Sequence, residues 1–294
     1  MPAHPTHPST RFFITLLTLD DTGLRRAHQR HLRATLTAIR AMSQLRGTHN
    51  ASSHLDLLVF PELSVHPSDI RHLMNFARSQ KTIIVAGMTY ERVVAGDALV
   101  NSALWVIPTW SKSLGLQVRT LRQGKGNLAP QEAADFGSVV RGFRPAQLLV
   151  GYEWSNNTAD RPMWLTAAIC YDATDLGLAS GLRDQSDVLI IPALNRDVQT
   201  FDQMASALHY HMYQLVVIAN NGQFGGSNAY APYAERFDSQ VFHMHGNNEA
   251  SIAFLEIPDV EHFLRRRSPP PLAPSRPPSS PKPKAFKTPP AGLR

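Results

Sequence analysis

The chain has 294 residues, 43% of them hydrophobic and 18% charged, which suffices for one large domain with an extensive core and excludes a chain disordered throughout. Its one cysteine, Cys170, excludes an intramolecular disulfide framework and a thiolate zinc site, and points to a reducing compartment. The formal charge of +6 sits at the C-terminal end: residues 262–294 hold eight Lys or Arg and no Asp or Glu, leaving 21 basic and 23 acidic residues elsewhere, so the body is not built to bind nucleic acid.

In chain order, the polar start MPAHPTHPST lacks the apolar stretch of a signal peptide, and no later run approaches the ~18 to 20 apolar residues of a membrane-spanning helix. A cytoplasmic protein without a membrane partner is expected, with residues 1–10 disordered. Apolar runs rich in β-branched residues predict strands at 12–19, 55–60, 82–89, 100–107, 117–122, 148–152, 164–170, 188–192, 215–219 and 252–257. Amphipathic stretches predict helices at 22–45, 67–80, 174–184 and 198–213. In the first helix Leu24, His28, Leu32, Leu36 and Ile39 recur at intervals of three and four and form one apolar face. Strands that follow one another without helices over 82–122 require a mixed sheet, so a two-sheet sandwich covered by helices fits better than a dinucleotide-binding unit. From Ser268 the chain carries ten of its 22 prolines and too few large apolar residues for a core, so 265–294 is expected to be a disordered basic tail. A role for that tail in holding an acidic partner or nucleic acid ranks last.

Three positions carry chemistry. Glu62 ends the apolar run Leu57-Leu-Val-Phe-Pro61, at a strand end of the kind where catalytic groups gather; partly desolvated there, a carboxylate gains the proton affinity a general base needs. Lys125 stands between two glycines after a β-like segment. Glycine permits close backbone approach, and an ammonium beside a carbonyl carbon stabilises charge developing on the oxygen. Cys170 closes the run Met163-Trp-Leu-Thr-Ala-Ala-Ile at a strand-to-helix turn, near a helix N-terminus that favours thiolate. The pairs His209/His211 and His243/His245 suggest a metal only superficially: two residues apart on a helix point about 160° from one another, and no carboxylate or cysteine accompanies the second pair. No metal or other cofactor is expected.

Glu62, Lys125 and Cys170, in that order, resemble the nitrilase superfamily of carbon–nitrogen hydrolases. Phe60-Pro61-Glu62-Leu63 is similar to its glutamate motif, Lys125 with Leu128 and the run from Glu132 to Gly137 to its lysine motif and second glutamate, and Ala168-Ile169-Cys170-Tyr171-Asp172 to its nucleophile motif. Val188 to Ala193, Val216 to Asn220 and Gly225-Gly226-Ser227 resemble later segments, so the likeness spans about 11–264. It implies an α/β fold, an αββα sandwich of mixed β-sheets that pairs into four layers, and a homodimer or larger homo-oligomer. It further implies a Glu62, Lys125, Cys170 triad, Glu132 orienting the lysine, and the Tyr171 backbone N–H in the oxyanion site. Asp172, Asn195 and Phe224 are expected to line the pocket of a small amide, carbamoyl or nitrile substrate.

The likeness has gaps. Ala173-Thr174-Asp175-Leu176 stands where the family has an Arg-Phe-Pro-Glu-like run, Asn127 where it has histidine, and His211 where it has glutamate. None removes a triad member. The alternative from another class is a nitrilase-fold binding or regulatory module, in a phage-defence or multi-enzyme setting, which would tolerate loss of the thiol.

Overall fold

The structure, a computed structural model, describes residues 18, 19, 21–48, 54–92, 98–154, 159, 161–267 and 285–293. The chain divides into two compact units, residues 1–145 and 146–294, and each contains its own principal sheet. The strand expected at 12–19 falls outside the described residues except for its last two.

In the first unit, Asp21 caps helix α1 (Thr22–Thr48) by accepting the N–H groups of Gly23 and Leu24, each at 2.9 Å. Leu32, Leu36 and Ile39 are buried on its apolar face. Leu24, expected on the same face, is exposed, because the first turns are held by polar groups instead. Arg25 pairs with the buried Asp69 at 2.7 Å, Gln29 donates to Asp69 at 3.0 Å, and His28 donates to the Ser64 carbonyl at 2.8 Å.

Strand β1 (Leu57–Val65), helix α2 (Ile70–Gln80) and strand β2 (Ile83–Met88) form a parallel crossover. Strands β4 (Ser102–Ser111) and β5 (Gly115–Gly124) close an antiparallel hairpin onto β2, completing the order β1-β2-β4-β5. This is the mixed sheet expected from helix-free connections. The short strands β3 (Leu99–Val100) and β6 (Val140–Arg141) pair in parallel beside it in sequence, and helix α3 (Pro130–Phe136) lies between them in the chain.

The second unit has the order β12-β11-β10-β9-β8-β7. Its centre is parallel, from β8 (Met163–Ala167) through β9 (Val188–Ala193) to β10 (Leu215–Asn220), and antiparallel strands β7 (Val150–Tyr152), β11 (Asn228–Tyr230) and β12 (Gln240–His243) finish both edges. β9 is buried along its whole length, as a central parallel strand must be. Its crossovers carry helices α4 (Leu176–Leu182) and α5 (Val198–His211), and the short α6 (Arg236–Ser239) precedes β12.

Three expectations are corrected here. Residues 252–257 alternate in exposure like a strand but join no ladder among the described residues, since a strand needs a partner as well as a pattern. The helix expected over 174–184 is shorter, α4 alone, because the Asp175 side chain accepts the N–H groups of Gly177 and Leu178 and starts it there; the residues before it form a 3-10 turn (Cys170–Thr174). The body also continues past 264. Helix α7 (Val260–Arg267) buries Phe263, Leu264 and Arg267, and the Arg267 guanidinium meets the buried Asp187 at 3.0 Å.

Nor is the last part of the tail loose. Ala285 and Lys287 exchange backbone hydrogen bonds with Ala234 and Pro232, and Phe286 is 3% exposed, stacked on Tyr233 at 4.8 Å. An aromatic side chain in an otherwise polar segment supplies the apolar area that holds it there; residues 268–284 lie outside the described residues.

Candidate active site

Glu62 lies inside β1, where the pairing with β2 changes register between Phe60 and Val65. The bulge turns the chain through Leu63, whose φ is 56°, a left-handed conformation that a leucine adopts only at a cost. Across the ladder stands Gly87. A Cβ there would run into the Glu62 backbone, so the bulge and the glycine go together.

Lys125 follows the last residue of β5. Its N–H donates to the Asn101 carbonyl at 2.9 Å, and its own carbonyl accepts from Phe143 at 2.8 Å. Gly124 allows this approach, because a Cβ would overlap the Phe143 carbonyl, the close backbone passage expected of the flanking glycines. The side chain, 2% exposed, extends to two carboxylates. Its Nζ donates to Glu62 Oε1 at 2.9 Å and to Glu132 Oε2 at 2.6 Å.

The group is larger than the sequence suggested. The Asn101 amide donates to Glu62 Oε1 at 2.7 Å, and the Tyr90 hydroxyl to Glu132 Oε1 at 2.6 Å. Glu132, third residue of α3, also accepts the Ala129 N–H at 3.1 Å, half of a capping box. Burial pushes the Glu132 carboxyl up, but the Lys125 charge and hydrogen bonds from Lys125, Tyr90 and Ala129 outweigh it and hold the group below the ordinary carboxylate value. Neither Tyr90 nor Asn101 was singled out from sequence. The available signal was a polar residue inside the apolar run 99–104.

In the second unit, Cys170 is buried and has a φ of 47°. A non-glycine residue in this region between a strand and a turn is strained, as nucleophile-bearing elbows are. The expectation of an α-helix N-terminus at the thiol is corrected: the residues after it form the 3-10 turn, and α4 begins only at Leu176 with Asp175 as cap. Tyr171 is the first residue after the thiol and half-buried.

The expected pocket residues fare unequally. Asp172 is 0% exposed, within the 3-10 turn. The Asn195 amide is committed to its own loop, donating to the Asp197 carbonyl at 2.7 Å and accepting the Asp197 N–H at 3.2 Å. Phe224, half-buried, lies 6.0 Å from the Arg196 guanidinium.

Among the described residues no group of three or more His, Cys, Asp or Glu side chains could hold a metal ion. His209 stacks on Tyr230 at 5.2 Å, and His243 meets His245 at 3.1 Å. No described helix is long and apolar enough to cross a membrane.

No protein-family model and no curated protein sequence matches the chain. Solved structures do. Nit3 of Saccharomyces cerevisiae, a member of branch 10 of the nitrilase superfamily, is similar over 81% of this chain and 89% of its own at 16% identity and TM-score 0.55. NitN amidase of Nesterenkonia sp. AN1 is similar over 80% and 91% at 14% identity and TM-score 0.51. A glutamate-to-leucine variant of the amidase from that organism, with the acetamide moiety of fluoroacetamide added covalently at its active-site cysteine, is similar over 81% and 88% at 14% identity and TM-score 0.54. The chain has the nitrilase fold, an α/β architecture of mixed sheets with helices.

Proposed function

We propose that the chain is a divergent member of the nitrilase superfamily and a cysteine-dependent hydrolase of carbon–nitrogen bonds other than peptide bonds, acting on a small amide, carbamoyl compound or nitrile. The observation that carries this is the buried group of Glu62 at the β1 bulge, Lys125 after β5 and Glu132 on α3, in a chain of this fold whose one thiol occupies a strained turn after a strand. In the proposed cycle Glu62 takes the Cys170 proton and the thiolate attacks the carbonyl or nitrile carbon. Lys125 and the Tyr171 N–H stabilise the charge on the former carbonyl oxygen. With an amide, Glu62 returns the proton to the nitrogen, the C–N bond breaks and ammonia or an amine leaves a thioester. The same carboxylate then activates water to release the acid. Glu132 is a positioning residue that keeps the ammonium in place, and no cofactor takes part. We further propose that the enzyme works as a homo-oligomer.

The test is intact-mass spectrometry of wild type and Cys170→Ala, quenched in acid after short incubation with acetamide, propionamide, acrylamide, N-carbamoyl-alanine and propionitrile. An adduct of acyl mass that requires Cys170 is expected, together with product release that Cys170→Ala abolishes without unfolding. No adduct, with slow alkylation of Cys170 by iodoacetamide, would overturn the hydrolase in favour of a binding or regulatory module.

A further inference from the structure

We propose that Asn101 is a positioning residue that determines which oxygen of Glu62 carries the proton; this rests on the hydrolase reading above. Asn101, 1% exposed, joins β3 to β4 and bonds to both Glu62 and Lys125. Its carbonyl accepts the Lys125 backbone N–H at 2.9 Å, while its Nδ2 donates to Glu62 Oε1 at 2.7 Å. The orientation of the amide follows from chemistry. An ionised carboxylate only accepts, so the flipped amide would set two oxygens against each other.

Oε1 of Glu62 therefore receives two donors, the Asn101 amide at 2.7 Å and the Lys125 ammonium at 2.9 Å. Two donors occupy both lone pairs of that oxygen. A proton arriving from the thiol must then bond to Oε2: the S–H bond breaks, an O–H bond forms on Oε2, and the same proton passes to the leaving nitrogen as the C–N bond breaks. The terminal torsion of glutamate is soft and two-fold. With Asn101 removed, Oε1 loses one of these two donors and can itself take the proton.

Packing does not account for the residue. Its other amide atom, Oδ1, is buried without a hydrogen-bond partner, and Val100 before it and Ala103 two positions after it are core residues. An apolar side chain of the same shape would avoid that unmet acceptor, so an amide retained here is explained by what Nδ2 does to Glu62.

The test compares wild type, Cys170→Ala, Asn101→Leu and Asn101→Ala by thermal midpoint and by steady-state kinetics, using whichever of the five compounds above wild type hydrolyses fastest. Asn101→Leu removes the unmet Oδ1 and also a donor to Glu62, so its thermal midpoint is expected to change little. Its kcat should fall about 10- to 100-fold, the effect of one charge-assisted hydrogen bond, with KM within about twofold because Asn101 binds no substrate. Asn101→Ala, which has no donor, should show the same loss in kcat and covers the case in which the leucine variant does not fold. Unchanged kcat in either folded variant, or a loss confined to KM, would overturn the proposal while leaving the hydrolase intact. If wild type hydrolyses none of the five compounds, or does so without Cys170, the hydrolase reading fails and this proposal with it.

Discussion

At Glu132 two opposing influences act on one carboxyl group. Burial disfavours the charge, and Lys125, Tyr90 and the Ala129 N–H favour it more strongly, so the folded protein holds this group below its ordinary value of 4.5. A carboxylate depressed in this way stabilises the fold fully above that value, and the contribution disappears as pH falls through the lower folded value. Glu132→Gln keeps the shape and removes the charge. It is expected to cost about 1–3 kcal/mol at neutral pH, a gap that narrows on the acid side of 4.5. Urea unfolding of both proteins from about pH 7 to about pH 3 measures this, and a gap independent of pH would show that Glu132 is not held ionised by its neighbours. The same variant should lower turnover, because a lysine with one carboxylate fewer is less firmly directed.

At the scale of elements, the bulge in β1 depends on the strand beside it. Gly87 faces the Glu62 backbone so closely that a Cβ has no room, and the obstacle is main chain, which cannot rotate aside as a side-chain tip can. Gly87→Ala should therefore push β1 away at Glu62. The expected outcome is a loss of about 2–3 kcal/mol in stability from overpacking, and a fall in turnover larger than that loss explains. Retained turnover at normal stability would mean that β1 adjusts freely. The elements around this bulge were legible because local pattern and global structure agree: the apolar run before Glu62, the hairpin after Asn101 and the glycines beside Lys125 each announce themselves within ten residues. What escaped is non-local. Asn101 acts on a residue 39 positions away, so nothing adjacent marks it. Strands as short as Asn228–Tyr230 are below the length at which period-two alternation emerges. The run 252–257 has the alternation and lacks a ladder among the described residues, and the start of the helix after the thiol falls two residues later than expected because a capping Asp175 differs from an Asp within a helix only in its backbone.

At the scale of the whole chain, the excess positive charge that composition assigns to the C-terminal end is partly engaged in the fold. The Lys287 ammonium lies 3.3 Å from His209 Nε2 and 5.1 Å from the centre of the Tyr210 ring, and the Lys287 carbonyl accepts the Tyr213 hydroxyl at 2.8 Å. Burial first, and the Lys287 charge second, push His209 down to about 4 from an ordinary 6.5. The ring is thus neutral at neutral pH and accepts a hydrogen bond from the lysine. As pH falls below 6.5 the unfolded chain takes up a proton at this histidine while the folded chain does not until about 4, so stability drains away across that interval and levels off below it. Allowing for solvent screening, the loss is about 2 kcal/mol. His209→Gln retains an acceptor for Lys287 and cannot titrate. Its unfolding free energy should be flatter between pH 6.5 and 4 than that of wild type, and the backbone amide of Lys287, bonded to the Pro232 carbonyl at 2.8 Å, should keep its protection from hydrogen exchange further into acid. Parallel stability curves over this interval would place the acid sensitivity in other groups and leave His209 a packing partner of Tyr230.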